Sequence, residues 1–181
     1  RINMMITNEG YFMKNKIIIV LIMITFSFIF IPFVPTLSFT ETRTELPITH
    51  YLPLKKEKEF QIIFTHTIHK TDVIENYRVL NNKEILLLSM EYSDVAIGMP
   101  SYAEEGQTLV YKDGLYTLSY AHEALPSFTM FVGDVEDQLF LQYQKKKYNL
   151  KVKLEKGKSY LFEVKKLSLF DIARGVNLNE Q

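Results

Sequence analysis

Residues 17–39, IIIVLIMITFSFIFIPFVPTLSF, contain no charged side chain, and 17 of the 23 are apolar. A bilayer core about 30 Å thick needs roughly 20 such residues as a helix, at about 1.5 Å rise each. Buried helices of soluble proteins seldom stay apolar on every face for so long. The run therefore reads as a transmembrane helix, and it constrains everything around it. Lys14 and Lys16 stand just before it, and Glu41 is the first charge after it. By the positive-inside rule the lysine end, residues 1–16, stays in the cytoplasm and the rest of the chain is exported.

A cleaved signal peptide has an apolar core of about 7–15 residues followed by an Ala-x-Ala-like pattern of small side chains. No alanine occurs before Ala96, and the best small pair is Thr36 and Ser38. An uncleaved, single-pass signal-anchor over 17–39 is the expectation, with secretion after cleavage as its alternative. Met13-Lys14-Asn15-Lys16 ahead of an apolar run reads as a natural start, which would leave residues 1–12 outside the native protein.

Charge supports that orientation. The chain has 21 basic and 21 acidic side chains; residues 1–39 hold three and one of them, residues 40–181 hold 18 and 20. Neutral overall charge argues against a nucleic-acid partner, which calls for a basic face. The absence of cysteine excludes a disulfide framework, a thiolate zinc site and a cysteine nucleophile. The 11 Tyr and 13 Phe exclude a chain too polar to fold.

Residues 40–58 carry Pro47, Pro53 and the run Lys55-Lys56-Glu57-Lys58, and read as an extended linker. Its lysines can be solvated or can touch anionic headgroups. From residue 59 short β-like runs begin. Phe60, Ile62 and Phe64 alternate with their neighbours, and strand side chains alternate between faces. Asn81-Asn82 and Asp113-Gly114 mark turns, the second being a strong hairpin signal. Leu150, Val152 and Leu154 alternate with Lys151, Lys153 and Glu155, the pattern of a half-buried strand. One short helix is expected over 168–173, capped by Ser168 and ended by Gly175. The fold expected is all-β: a single antiparallel β-sandwich or barrel-like domain over 59–175, preceded by one N-terminal transmembrane helix.

Chemistry leaves few marks. His66-x-x-His69 puts its two rings on opposite faces if the segment is a strand, so no metal site is expected. There is no Gly-x-Ser-x-Gly elbow, phosphate loop or dinucleotide fingerprint, and the paired carboxylates Glu104-Glu105 and Glu136-Asp137 read as solvated turns. Lys145-Lys146-Lys147 reads as a hairpin bend. No catalytic residue and no cofactor is expected.

Two stretches are more specific than core packing requires: the polar passage His66 to Tyr77, and Glu91 to Pro100 with its glycine-proline loop. Lys70, Thr71, Val73, Glu75 and Tyr77, then Tyr92, Gly98 and Pro100, resemble the bacterial domain of unknown function 1850 family. Leu125-Pro126-x-Phe128 and Val132-Gly133 resemble the next landmark of that family. Thr67, His69 and Ala96 depart from its pattern. The family is often encoded beside TAXI-type TRAP transporters, so the resemblance implies a context and no reaction. It implies His66, Lys70, Thr71, Glu75, Tyr77, Tyr92, Gly98 and Pro100 as contact residues.

The function expected is a non-enzymatic, membrane-anchored β domain outside the cytoplasmic membrane, an accessory of such a transporter. Two alternatives stand beside it. One is an exported hydrolase using His66 or His122 with Glu75 or Glu91; the other is a passive envelope interaction module.

Overall fold

In a computed structural model, the described residues are 2–68, 70–95, 98–134 and 138–180, with side chains from Met13 onward. His69, Ala96, Glu136 and Asp137 fall outside them. Helix α1 (Ile2–Phe28) leads into β1 (Val34–Glu41) and β2 (Thr49–Pro53). Next come β3 (Glu59–Thr65), β4 (Asp72–Val79) and β5 (Ile85–Tyr92), then β6 (Gln107–Lys112) and β7 (Leu115–Tyr120). The chain continues through β8 (Ala124–Leu125), β9 (Ser127–Phe131), β10 (Leu139–Tyr143) and β11 (Lys146–Asn149). It closes with α2 (Leu150–Lys153), β12 (Ser159–Leu167), α3 (Leu169–Arg174) and β13 (Val176–Asn177).

The strands form two sheets and no closed barrel. One runs β13-β2-β1-β12-β9; the other runs β11-β10-β3-β4-β5-β7-β6, with β8 added beside β5. Every pairing is antiparallel except that of β13 with β2. The sheets share one core. Leu37 and Phe39 of β1 and Tyr160, Phe162 and Val164 of β12 pack with Phe60, Ile62, Tyr77 and Leu141 of the other sheet. Phe60 and Phe162 meet across the interface with ring centroids 5.4 Å apart. A smaller cluster of Val73, Tyr92 and Leu118 lies on the larger sheet.

Three expectations are corrected. The charge-free run is not one helix: α1 ends at Phe28, and Val34–Glu41 is a central strand of the five-stranded sheet. Pro32 and Pro35 remove backbone donors a helix needs, while Leu37 and Phe39 alternate with Thr36 and Ser38 in strand fashion. Among the described residues, no helix is long and apolar enough to cross a membrane. The linker over 40–58 contains β2, whose His50, Tyr51 and Leu52 are buried, so the β domain starts at β1 rather than at residue 59. The third correction is α2, predicted as a strand. Asn149 caps it by accepting from Lys151 N at 3.0 Å, and Leu150 and Leu154 are both buried one turn apart.

Other expectations hold. Asp113 and Gly114 have φ of 52° and 84°, the left-handed pair of a tight β6–β7 hairpin. Gln144 and Lys145 do the same between β10 and β11, which puts Lys145 in the bend and Lys146 and Lys147 in the first half of β11. Ser168 and Asp171 form a reciprocal capping box on α3, and Gly175 ends it.

Candidate ligand pocket

Strand β9 is the outer edge of the five-stranded sheet, and the two sheets do not close against each other there. The gap is a cavity of about 580 Å³ between β9 on one side and β3, β4 and β10 on the other. Ligand sites for small molecules commonly span about 300–1,000 Å³. The walls follow from strand alternation. Ile62 and Phe64 share one face of β3, Glu75 and Tyr77 the facing side of β4, and Phe128 and Met130 the inner side of β9. Leu125 and Phe131 stand at the cavity with 49% and 62% of their surface exposed.

A register shift between β4 and β5 at Asn76/Tyr77 keeps both Leu87 and Met90 opposite these inward residues: Tyr77 pairs with Leu87 and Glu75 with Met90. Bulges of this kind re-aim side chains beside functional sites. Tyr77 is buried in an aromatic stack, its ring 5.2 Å from Phe60 and 5.6 Å from Phe128. Its hydroxyl donates to Glu75 Oε2 at 2.8 Å.

Glu75 is the feature that packing alone does not explain. Its carboxyl is half-buried in an apolar wall. Burial raises its pKa, and the Tyr77 hydrogen bond offsets that only in part. Among the described residues no cation pairs with it. The Tyr77 phenol is driven well above the ordinary range, first by burial and then by the adjacent carboxylate.

The eight residues singled out in sequence divide into groups. Glu75 and Tyr77 are together in the cavity wall. Tyr92 is buried on the larger sheet and donates its hydroxyl to the Pro100 carbonyl at 2.6 Å, folding the following loop back on itself. Gly98, at φ 91°, brings that loop against His66: a Cβ on Gly98 would lie 3.8 Å from His66 Nε2. Lys70 and Thr71 close the β3–β4 turn through their backbones, His66 N donating to Thr71 O and Lys70 N to His66 O. These six build the β3–β4 and β5–β6 loops, away from the cavity walls. Among the described residues of the β3–β4 turn, Thr67 alone lines the cavity.

A model of the family described as domain of unknown function (DUF1850) matches residues 60–150. That is half of the chain. The protein belongs to the DUF1850 family. No curated protein and no solved structure matches it. In this DUF1850 domain the landmark residues Leu125, Phe128 and Gly133 also line the cavity beside Glu75 and Tyr77, so five quoted positions meet at one site.

The carboxylates of the hydrolase alternative are separated. Glu75 faces the cavity, whereas Glu91 accepts from Asn76 Nδ2 at 3.0 Å on the outer face of the same sheet. Neither His66 nor His122 lines the cavity. Among the described residues no group of three or more His, Asp or Glu is placed to hold a metal ion.

Sequence reading missed Met130, Phe131 and Leu139 as cavity residues. Their signal was the apolar alternation of β9 and β10, which is the same as that of a filled core. Only the pairing of β9 as an edge strand distinguishes the two.

Proposed function

We propose that this DUF1850 domain is a non-enzymatic, membrane-anchored ligand-handling module on the outer face of the cytoplasmic membrane. It serves as an accessory of a TAXI-type TRAP transporter. The observation that carries ligand handling is the cavity beside β9, apolar on most sides and holding one carboxyl–phenol pair. The transporter context rests on the family.

Anchoring is supported by what surrounds α1. Every described apolar side chain from Ile17 to Met23 is about half exposed, around the whole circumference of the helix. Such a surface needs an apolar environment. The charge-free part of α1 runs from Ile17 to Phe28, apolar chain continues beyond the helix to Phe33, and Lys14 and Lys16 can extend the apolar reach by placing their ammonium groups among headgroups.

The domain then sits directly on the bilayer, not on a stalk. Phe33 N donates to Leu167 O and Phe170 N to Ile29 O, while the Phe30 and Phe170 rings are 5.1 Å apart. Leu169, Phe170 and Phe33 are exposed at that end. Leu54 N donates to Pro35 O, which brings the exposed Lys55, Lys56 and Lys58 to the same end, with Lys166 just before α3 and Arg174 in its last turn. Apolar side chains ringed by basic ones suit an anionic interface.

The test is photocrosslinking in native membranes from a crosslinker at position 131, on the exposed cavity rim. Capture of a TRAP permease or solute-binding subunit is the expected result. Capture of no transporter component, or release of the domain into the medium, overturns the reading.

A further inference from the structure

We infer that the cavity between β4 and β9 takes an organic cation on an apolar body, an alkyl- or arylammonium, with Glu75 as its counter-ion. This rests on the ligand-handling reading above and names the ligand class.

Three observations carry it. The first is the bonding of Glu75. Among the described residues Tyr77 supplies the one hydrogen bond to its carboxyl, at Oε2, which leaves Oε1 as an acceptor in the cavity wall. Lys151 also borders the cavity and has interactions of its own. The charge state of Glu75 is set by burial and by Tyr77, with no cation contributing. A charge removed from water is costly unless paired. A bound ammonium would supply that opposite charge and donate to Oε1.

The second is the character of the walls. Tyr77 is stacked with Phe60 and, at 19°, with Phe128, so the rings left to meet a ligand are those of Phe64, Phe128 and Phe131, which all line the cavity. Aromatic faces attract a cation by roughly 0.5–2 kcal/mol, more where water is excluded. An anion would find Lys151 at the cavity border but would meet the carboxylate and these ring faces unfavourably. A neutral ligand would bury Glu75 further with nothing to balance it.

The third is the mouth. Leu125 and Phe131 keep large apolar surfaces exposed beside a mostly apolar cavity. That surface is matched by a hydrocarbon body attached to the cationic head.

The experiment uses the full chain in nanodiscs of zwitterionic lipid and three probes of one size: 2-phenylethylammonium, 2-phenylethanol and 3-phenylpropanoate. Affinities are read by saturation-transfer NMR and calorimetry, for the wild type and for Glu75→Gln. That substitution keeps the side-chain shape, and its amide oxygen can still accept from Tyr77. The expected result is ammonium binding about tenfold tighter than the alcohol, with the propanoate weakest. Glu75→Gln should erase that preference and leave the alcohol unchanged. An alcohol or propanoate that binds the wild type as well as the ammonium, in a manner lost in Phe128→Ala, overturns the cation while the ligand-handling reading stands. Binding of none of the three overturns both. Should Glu75→Gln fail to fold, the ranking of the three probes on the wild type decides.

Discussion

The hydroxyl of Tyr77 donates to Glu75 Oε2 at 2.8 Å inside the wall of an apolar cavity. Two residues on one face of one strand thus hold a carboxyl where hydrocarbon would pack better. Burial raises the pKa of Glu75 above 4.5, its ordinary value, and the Tyr77 hydrogen bond pulls it part of the way back. Removing that donor in Tyr77→Phe should raise it further. Carbon-detected NMR titration of the Glu75 carboxyl measures this, and an unchanged or lower midpoint would contradict the geometry.

The same pair has a stability consequence. A carboxyl with a raised folded pKa binds protons more tightly in the folded state than in the unfolded one. Its contribution is therefore most favourable below about pH 4.5 and is lost as pH rises through the folded value. At neutral pH Glu75 costs stability, so Glu75→Leu should stabilise the domain by on the order of 1 kcal/mol. Thermal melts at pH 7 should show a higher midpoint, and the gain should shrink toward pH 4.5. The preference for a cationic ligand inferred above should be lost at the same time.

His50 works in the opposite sense at the other side of the core. It is buried against Tyr160, and among the described residues its Nδ1 has no hydrogen-bond partner. Burial lowers its pKa below 6.5; Glu41 opposes that shift and Lys158 adds to it. The unfolded state then binds the proton more readily, so stability is full above about pH 6.5 and falls as pH drops toward the folded value. Denaturant unfolding at pH 7.5 and 5.5 should show this loss in the wild type. His50→Leu should flatten it. Glu41 enters only at lower pH: burial raises its pKa, but hydrogen bonds from Lys158 and Ile48 N outweigh that and leave it below 4.5.

How much of this was legible in the sequence depends on whether a pattern had one structural solution. Asp113-Gly114 and the Ser168 cap did, because left-handed turns and helix N-caps favour those side chains at those positions. The alternation of Leu150, Val152 and Leu154 had two, since residues four apart share a helix face as well as a strand face. The end of the charge-free run had two as well: hydrophobicity does not separate a membrane segment from the buried β1, and Pro32 and Pro35 were the discriminating signal. Glu75 and Tyr77 were visible as family positions. Their cavity was not, because it exists only where β9 ends a sheet.

Residue 152 separates the two solutions for 150–154. In the helix, Val152 is 78% exposed while Leu150 and Leu154 are buried. Val152→Lys should therefore change stability by less than about 0.5 kcal/mol. Leu154→Ala should cost about 2–5 kcal/mol. A strand would put all three side chains on one face and make both substitutions comparably damaging. Urea denaturation of the two variants distinguishes these outcomes.

The position of β1 bears on processing of the N-terminus. Thr36 and Ser38, the pair most suited to signal-peptide cleavage, are fully buried, with their hydroxyl oxygens 2.7 Å apart. β1 pairs with β12 over eight positions and with β2 over five. Cutting after Ser38 would remove Leu37 from the core and leave only residues 39–41 of β1 between β2 and β12. Each strand would expose backbone donors and acceptors that are now paired. A chain starting at residue 39 should fail to fold, whereas one starting at residue 32 retains β1 and should give a cooperative melt. Circular dichroism of the two truncated chains measures this. A folded product from residue 39 would show that β1 is dispensable and would restore Thr36 and Ser38 as a cleavage site compatible with the fold.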